Sequence, residues 1–144
     1  VHASAGREAI RAAVVNKGKV KIIGVTVLTS IDDKECNSIF GANSSKKVIQ
    51  FADRLLSEGA DGIVCSPFEV KIIRKFKKFN DLVIITPGVR PIWADRSDQK
   101  RYTTPSKAIK LGVDYIVIGR PITQPPANIG SSVRAIDLIL KEIR

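Results

Sequence analysis

The chain has 144 residues, 44% of them hydrophobic, with Val, Ile and Leu dominant and aromatics few; that is enough for one globular core and excludes a fibrous or disordered chain. Its 24 basic and 14 acidic residues give a net charge of +10, which would attract nucleic acid, membrane surfaces or small phosphorylated ligands, yet no apolar run approaches the roughly 20 residues needed to span a bilayer. Two cysteines, Cys36 and Cys65, are too few for a disulfide scaffold, and a single histidine, His2, at the end of an apolar segment argues against a histidine metal site or a complete Ser/His/Asp triad.

In chain order, Val1-His2-Ala3 reads as the tail of a strand. Gly6 to Asn16 follows as a helix, with Ala9, Ile10, Ala13 and Val14 on one face and Gly18 suited to a left-handed stop. Val20 to Leu28 is β-branched and almost continuously apolar, which predicts a strand covered on both faces. Thr29 to Ser44 is polar and turn-rich and reads as a loop. Ser45 to Ser57 repeats Val48, Phe51, Ala52 and Leu55 on one helical stripe, closed by Gly59.

Ala60 to Cys65 is the next short strand, and a helix starts near Pro67. Its basic run from Lys71 to Lys78 keeps Val70, Ile72, Ile73, Phe76 and Phe79 near helical spacing. Lys71, Arg74, Lys75, Lys77 and Lys78 then form a solvated outer side; no stacking aromatics interleave with them, so nucleic acid is not the expected partner. Leu82 to Thr86 is a strand ended by Pro87-Gly88, and Arg90 to Tyr102 a long polar loop. Thr104 and Pro105 carry the N-cap and first-turn signals of a helix that ends at Gly112. Tyr115 to Ile118 is the last strand. Val133 to Ile143 is the last helix, with Ile136, Ile139, Leu140 and Ile143 inward.

Strands alternating with helices at this spacing predict a parallel sheet with helical crossovers. Each strand leads into a loop of functional residue types: Thr29-Ser30, Cys65-Ser66-Pro67, Thr86 to Arg90, and Gly119-Arg120-Pro121. That is the pattern of the active face of a (β/α)8 barrel, although four strands and a stub fall short of eight. A doubly wound sheet is the alternative, but no glycine-rich dinucleotide fingerprint follows the first strand.

Gly119-Arg120 after the last strand offers backbone N–H groups and a guanidinium for an anion, and Arg90, Gln99, Lys100 and Arg101 add convergent donors. Taken alone a Gly-Arg-Pro turn is a weak signal. The hydroxyls of Thr29-Ser30 could meet a polar base edge or merely cap local backbone.

Several segments together carry more: VHASAG at 1–6, VTVLTS at 25–30, GIVCSPFE at 62–69, TPGVRP at 86–91 and DQKRYTTPSKAIKLGVDYIVIGRPIT at 98–123. In order and spacing they resemble the orotidine 5′-monophosphate decarboxylases over nearly the whole chain. The resemblance implies the C-terminal half of a TIM barrel, strands five to eight plus the end of strand four, as one partial domain over residues 1–144. It implies a cytoplasmic lyase of pyrimidine biosynthesis with no cofactor or metal. Residue by residue, it assigns Gln99, Gly119 and Arg120 to the 5′-phosphate, Arg90 to the border of that loop and Thr29 to the pyrimidine. His2 matches a histidine that lines the site without donating the proton.

Trp93 to Ser97 replaces a glycine-containing stretch usual in the family, and Pro126 to Gly130 an Asn-Pro helix start. The family's catalytic Asp-x-Lys-x-x-Asp does not occur; Asp32-Asp33-Lys34 does not complete it and is expected in a loop. The expectation is therefore a fragment that holds the phosphate and pyrimidine but has no catalytic residue of its own. The alternative is a non-catalytic half-barrel remnant that binds a phosphate ligand or only self-associates. Either way the expected partners are a nucleoside monophosphate and a missing N-terminal half or a second copy. The start at Val1 and the absence of Met fit that expectation.

Overall fold

The computed structural model describes residues 1–94 and 102–144. It is an α/β fold built on a four-stranded parallel sheet in sequential order: β1 (Ile23–Val25), β2 (Gly62–Val64), β3 (Val83–Thr86) and β4 (Tyr115–Ile116). The register aligns Gly24, Ile63 and Ile84 in one row and Val25, Val64, Ile85 and Tyr115 in the next. As predicted, the N-terminal stub lies along the sheet: His2 bridges Val25 in parallel, and the Val25 N–H donates to Val1 O at 2.8 Å.

The helices are α1 (Arg7–Val15), α2 (Asp33–Phe40), α3 (Ser44–Ser57), α4 (Pro67–Ile73), α5 (Pro105–Lys110), α6 (Arg120–Thr123) and α7 (Ser132–Ile143). The core lies between them and one face of the sheet, where Ile63 and Ile84 are fully buried with Val48, Leu55, Val70 and Ile73. Gly24 lies under Leu55, whose Cδ2 would stand 2.1 Å from any Cβ there. The opposite face is only half covered: Ile23, Val25, Val64, Val83 and Ile85 are partly buried, and Tyr115 is 61% exposed. The first strand, expected to be covered on both faces and to run from Val20, is covered on one and begins at Ile23. Upstream of it Lys17 accepts a turn bond from Val20, and the Asp61 carboxylate takes the Ile22 N–H at 2.7 Å.

Four further expectations change. Thr29 to Ser44 is not all loop, since Asp33–Phe40 is α2, with Asp32 capping the Glu35 N–H and Gly41 closing the helix at φ 70°. Asp32-Asp33-Lys34 is accordingly a helix start. The basic helix stops at Ile73, because Arg74 turns back and donates to the carbonyls of Phe79, Asn80 and Leu82; only a 3-10 turn at Lys77–Phe79 follows. In α7 the inward residues are Ala135 and Ile139, whereas Ile136 and Leu140 are each 40% exposed. By contrast Thr104 and Pro105 occupy the predicted N-cap and first position of α5, and Cys36 and Cys65 are buried and unbridged.

Ion pairs gather at the end of the sheet where the strands begin. Glu58 accepts from Arg7 and Arg11, Asp61 from Lys17, and Asp114 from Arg74. The Arg7 guanidinium holds the Glu58 carboxyl below its ordinary value, against a desolvation that acts the other way, with Arg11 adding to the lowering. The Lys17 ammonium and then the Ile22 N–H do the same for Asp61.

Candidate functional site

All four strands run the same way, so their outgoing loops meet at one end of the sheet. Two adjoining cavities open there. The first, about 150 Å3, is walled by Pro87 to Arg90 after β3 and by Val117, Gly119, Arg120 and Pro121 after β4. The second, about 220 Å3, is walled by Val25 and Val27 to Ser30 from the end of β1, by Val64 and Cys65 from β2, and again by Pro87. Pro87 is the shared partition.

Local chemistry fixes these walls. Pro87 ends β3, and Gly88 turns the chain at φ 74°, a left-handed conformation that a side chain would strain. Two residues on, the chain pairs again: Val89 bridges Thr103 in parallel, with Arg90 N donating to Thr103 O at 2.8 Å and Thr103 N to Gly88 O at 3.1 Å. Those bonds form a neck between the segment that leaves β3 and the segment that enters α5. Across the cavity, the Val117 N–H donates to Thr86 O at 2.9 Å, and Gly119 O accepts from Ile122 and Thr123 to form the single turn of α6. Arg120 opens that turn and is exposed; Arg90 is 7% exposed.

Around the second cavity, Thr26 Oγ1 donates to Val64 O at 2.7 Å and ties β1 to β2 just below the mouth. The walls are apolar except for the Thr29 and Ser30 hydroxyls and the backbone.

The structure thus brings Arg90, Gly119 and Arg120 to one cavity and Thr29 to its neighbour. Gln99, Lys100 and Arg101 lie outside the described residues, as does Asp95 to Ser97 of the Trp93–Ser97 stretch. His2 lines neither cavity; it lies beside Val25 at the margin of the sheet. Sequence reasoning named Pro87 only within a motif and did not see it as the partition, nor Cys65 as a wall. The adjacency of β1, β2 and β3 puts them there, and strand order is not written in any local pattern.

Two guanidinium-bearing residues around a small concave space suit a phosphate group. A narrow apolar slot edged by hydroxyls suits a flat polar ring. Among the described residues no group of His, Cys, Asp and Glu could hold a metal ion, and no helix is long and apolar enough to cross a membrane.

Residues 1–136 match the model of a family described as the orotidine 5′-phosphate decarboxylase / HUMPS family. The orotidine 5′-phosphate decarboxylase of Actinobacillus succinogenes is 48% identical over 118 residues, covering 79% of this chain and 50% of the relative. That of Heliobacterium modesticaldum is 38% identical over 148 residues, covering 95% and 60%. Among solved structures, orotidine 5′-phosphate decarboxylase from Lactobacillus acidophilus superposes with a TM-score of 0.74 at 31% identity, covering 100% of this chain and 62% of that one. A conserved protein of uncharacterized function from Geobacillus kaustophilus superposes with the same score at 27% identity. The chain spans 50% of the first of these curated relatives and 60% of the second.

Proposed function

Because the chain belongs to the orotidine 5′-phosphate decarboxylase / HUMPS family, we propose that it is the phosphate- and pyrimidine-binding half of a decarboxylase that converts orotidine 5′-monophosphate to uridine 5′-monophosphate and CO2 in the cytoplasm. The observation that carries this reading is the pair of cavities sharing Pro87, one bearing Arg90, Gly119 and Arg120 and the other Thr29. A nucleoside monophosphate would place its phosphate in the first, with Gln99 as a further ligand, and its pyrimidine in the second. Its ribose would cross the partition. No cofactor takes part.

In this reading the four parallel strands and the His2 stub are strands five to eight, and the end of strand four, of a (β/α)8 barrel. The half-covered sheet face supports it, since a closed barrel buries such a face against four more strands. The missing portion would be met by an N-terminal half or by a second copy, because an open sheet edge is a template for pairing. Self-association would also shield Tyr115 and the exposed Val117.

Phosphate binding far from the reacting carbon can lower the barrier at the ring, provided that charged groups stand ready there. The sequence holds no Asp-x-Lys-x-x-Asp to provide them. The chain alone is therefore a binding half without turnover, and that same absence favours the second reading, a non-catalytic half-barrel remnant. Two measurements separate the cases. Calorimetry should detect uridine 5′-monophosphate binding that is lost in Arg120→Ala; no binding by the wild-type chain defeats the phosphate assignment. Orotidine 5′-monophosphate should not be decarboxylated by the chain alone, and substantial turnover would overturn the claim that the catalytic groups are absent.

A further inference from the structure

The last strand and the last helix share an open apolar edge. Among the described residues only β3 pairs with β4, so the far edge of β4 has no neighbouring strand. Beside that edge runs a groove of about 260 Å3, lined by Ile116 and Ile118 at the end of the sheet, Ile122 of α6, and Ile136, Leu140 and Ile143 of α7. Helix geometry explains the opening. α7 buries Ala135 and Ile139 and turns Glu142 towards α5, where its carboxylate accepts the Ser106 N–H at 3.3 Å. At about 100° per residue, Ile136, Leu140, Ile143 and Val133 fall on the flank away from α5. Val133 is 71% exposed there. Large aliphatic side chains gathered in this way are costly to leave in water.

The other edge of the sheet has the opposite relief. It is formed by the Val1–His2 stub, which pairs with β1 in parallel. The helix that follows, α1, buries Ile10 and turns Arg7 and Arg11 towards Glu58, the C-cap of α3. The same helical spacing puts Ala9, Ala12 and Ala13 on the flank away from α3. Ala9 and Ala12 are exposed and Ala13 is half-buried. One copy of the chain thus carries a flank of large apolar residues at one edge and a flank of small ones at the other. Both edges run in the same direction, because every pairing in the sheet is parallel.

We propose that the groove beside β4 is a docking surface for a second copy of this chain, joined head to tail. The β4 edge and α7 of each copy receive the stub and α1 of the other, large side chains against small. A two-fold axis along the strands makes both contacts at once, keeps every strand parallel and closes the pair. Joining α7 to α7 instead would leave the alanine flank bare in both copies. The inference rests on the half-barrel part of the reading given above, since a sheet that turns through about half a barrel returns on itself after two copies. Each copy carries a net charge of +10, so the apolar contact forms against a long-range repulsion that salt screens.

Sedimentation of the full chain tests this. A dimer that tightens as salt is raised is expected. A monomer, an open-ended series of larger assemblies, or a dimer that salt weakens would overturn the proposal. Leu140→Glu puts a charge in the groove, and Ala12→Trp fills the alanine flank at an exposed position. Each should weaken dimerisation at least about a hundredfold. Circular dichroism checks their folding; where Leu140→Glu unfolds, Val133→Glu on the same flank takes its place. Mixing the two variants is the sharper test. A head-to-tail pair of unlike variants keeps one junction of intact α7 with intact α1, so the mixture should form heterodimers although each variant alone is monomeric. Dimerisation of Ala12→Trp at wild-type strength, or a mixture that does not pair, refutes the arrangement. Calorimetry with uridine 5′-monophosphate separates this inference from the functional reading: a monomer that binds nucleotide overturns the docking alone, and a dimer that binds none overturns the phosphate assignment alone.

Discussion

Val89 and Thr103 form a two-bond parallel bridge that ties the segment after β3 to the segment before α5, beside Arg90. Thr103→Pro removes the N–H that reaches Gly88 O, so one rung is lost and the other strained. The expected cost in stability is about 1–3 kcal/mol by urea unfolding. The larger effect should fall on uridine 5′-monophosphate binding. An affinity equal to wild type would mean that the neck does not organise the cavity.

Glu58 and Asp61 both titrate below their ordinary values when folded. A depressed carboxylate pKa gives stability that is fully present above the unfolded value, about 4, and is lost as pH falls through the folded value. Melting temperature should therefore hold steady from neutral pH down to the ordinary carboxylate range and decline below it. Glu58→Gln should melt lower at neutral pH and show a shallower acid decline. A decline as steep as that of wild type would exclude Glu58 as a source.

Arg74 donates to the carbonyls of Phe79, Asn80, Leu82 and Gly112, and to Asp114 at 2.7 Å. Asp114 in turn accepts the Ile84 N–H at 2.7 Å. A point-charged ammonium cannot reproduce a planar fork spread over so many acceptors. Arg74→Lys should thus destabilise the chain by about 2–4 kcal/mol, close to the effect of Arg74→Ala. Chemical denaturation that finds lysine nearly neutral would show those bonds to be energetically idle.

Gly62 faces backbone where a side chain would go: a Cβ there would stand 2.4 Å from Val83 O. At Gly24 the obstacle is the Leu55 side chain. Gly62→Ala should therefore be the more damaging, because a ladder must part to admit it, whereas Leu55 has other rotamers to try. Thermal melts of the two variants should rank them in that order.

Much of this arrangement is legible in the sequence wherever one short-range rule governs. Thr104-Pro105 marks the start of α5, Gly112 its stop at φ 91°, and the stripe from Val48 to Leu55 the buried side of α3. Errors arise where a distant partner decides. Apolar continuity from Val20 to Leu28 cannot show that one sheet face would be left half covered. The basic run from Lys71 has helical spacing throughout, yet Arg74 finds better acceptors beyond the turn and ends α4. α2 had a readable signal in Asp32 capping Glu35, with Gly41 after the last turn, that a polar composition concealed. In the site, Arg90, Gly119 and Arg120 could be named from motifs, but the partition at Pro87 needs the strand order.

The networks around Arg74, Asp114, Lys17, Asp61 and Glu58 lie where the strands begin, and both cavities lie where they finish. One end of the sheet works as a foundation and the other as a workbench, with only the strands in common. Changes that firm the foundation can accumulate without touching what the workbench holds. The workbench can in turn be refitted, one loop at a time, on an unaltered base. Such a chain would tolerate a gradual change of ligand better than one whose stabilising and binding residues were interleaved.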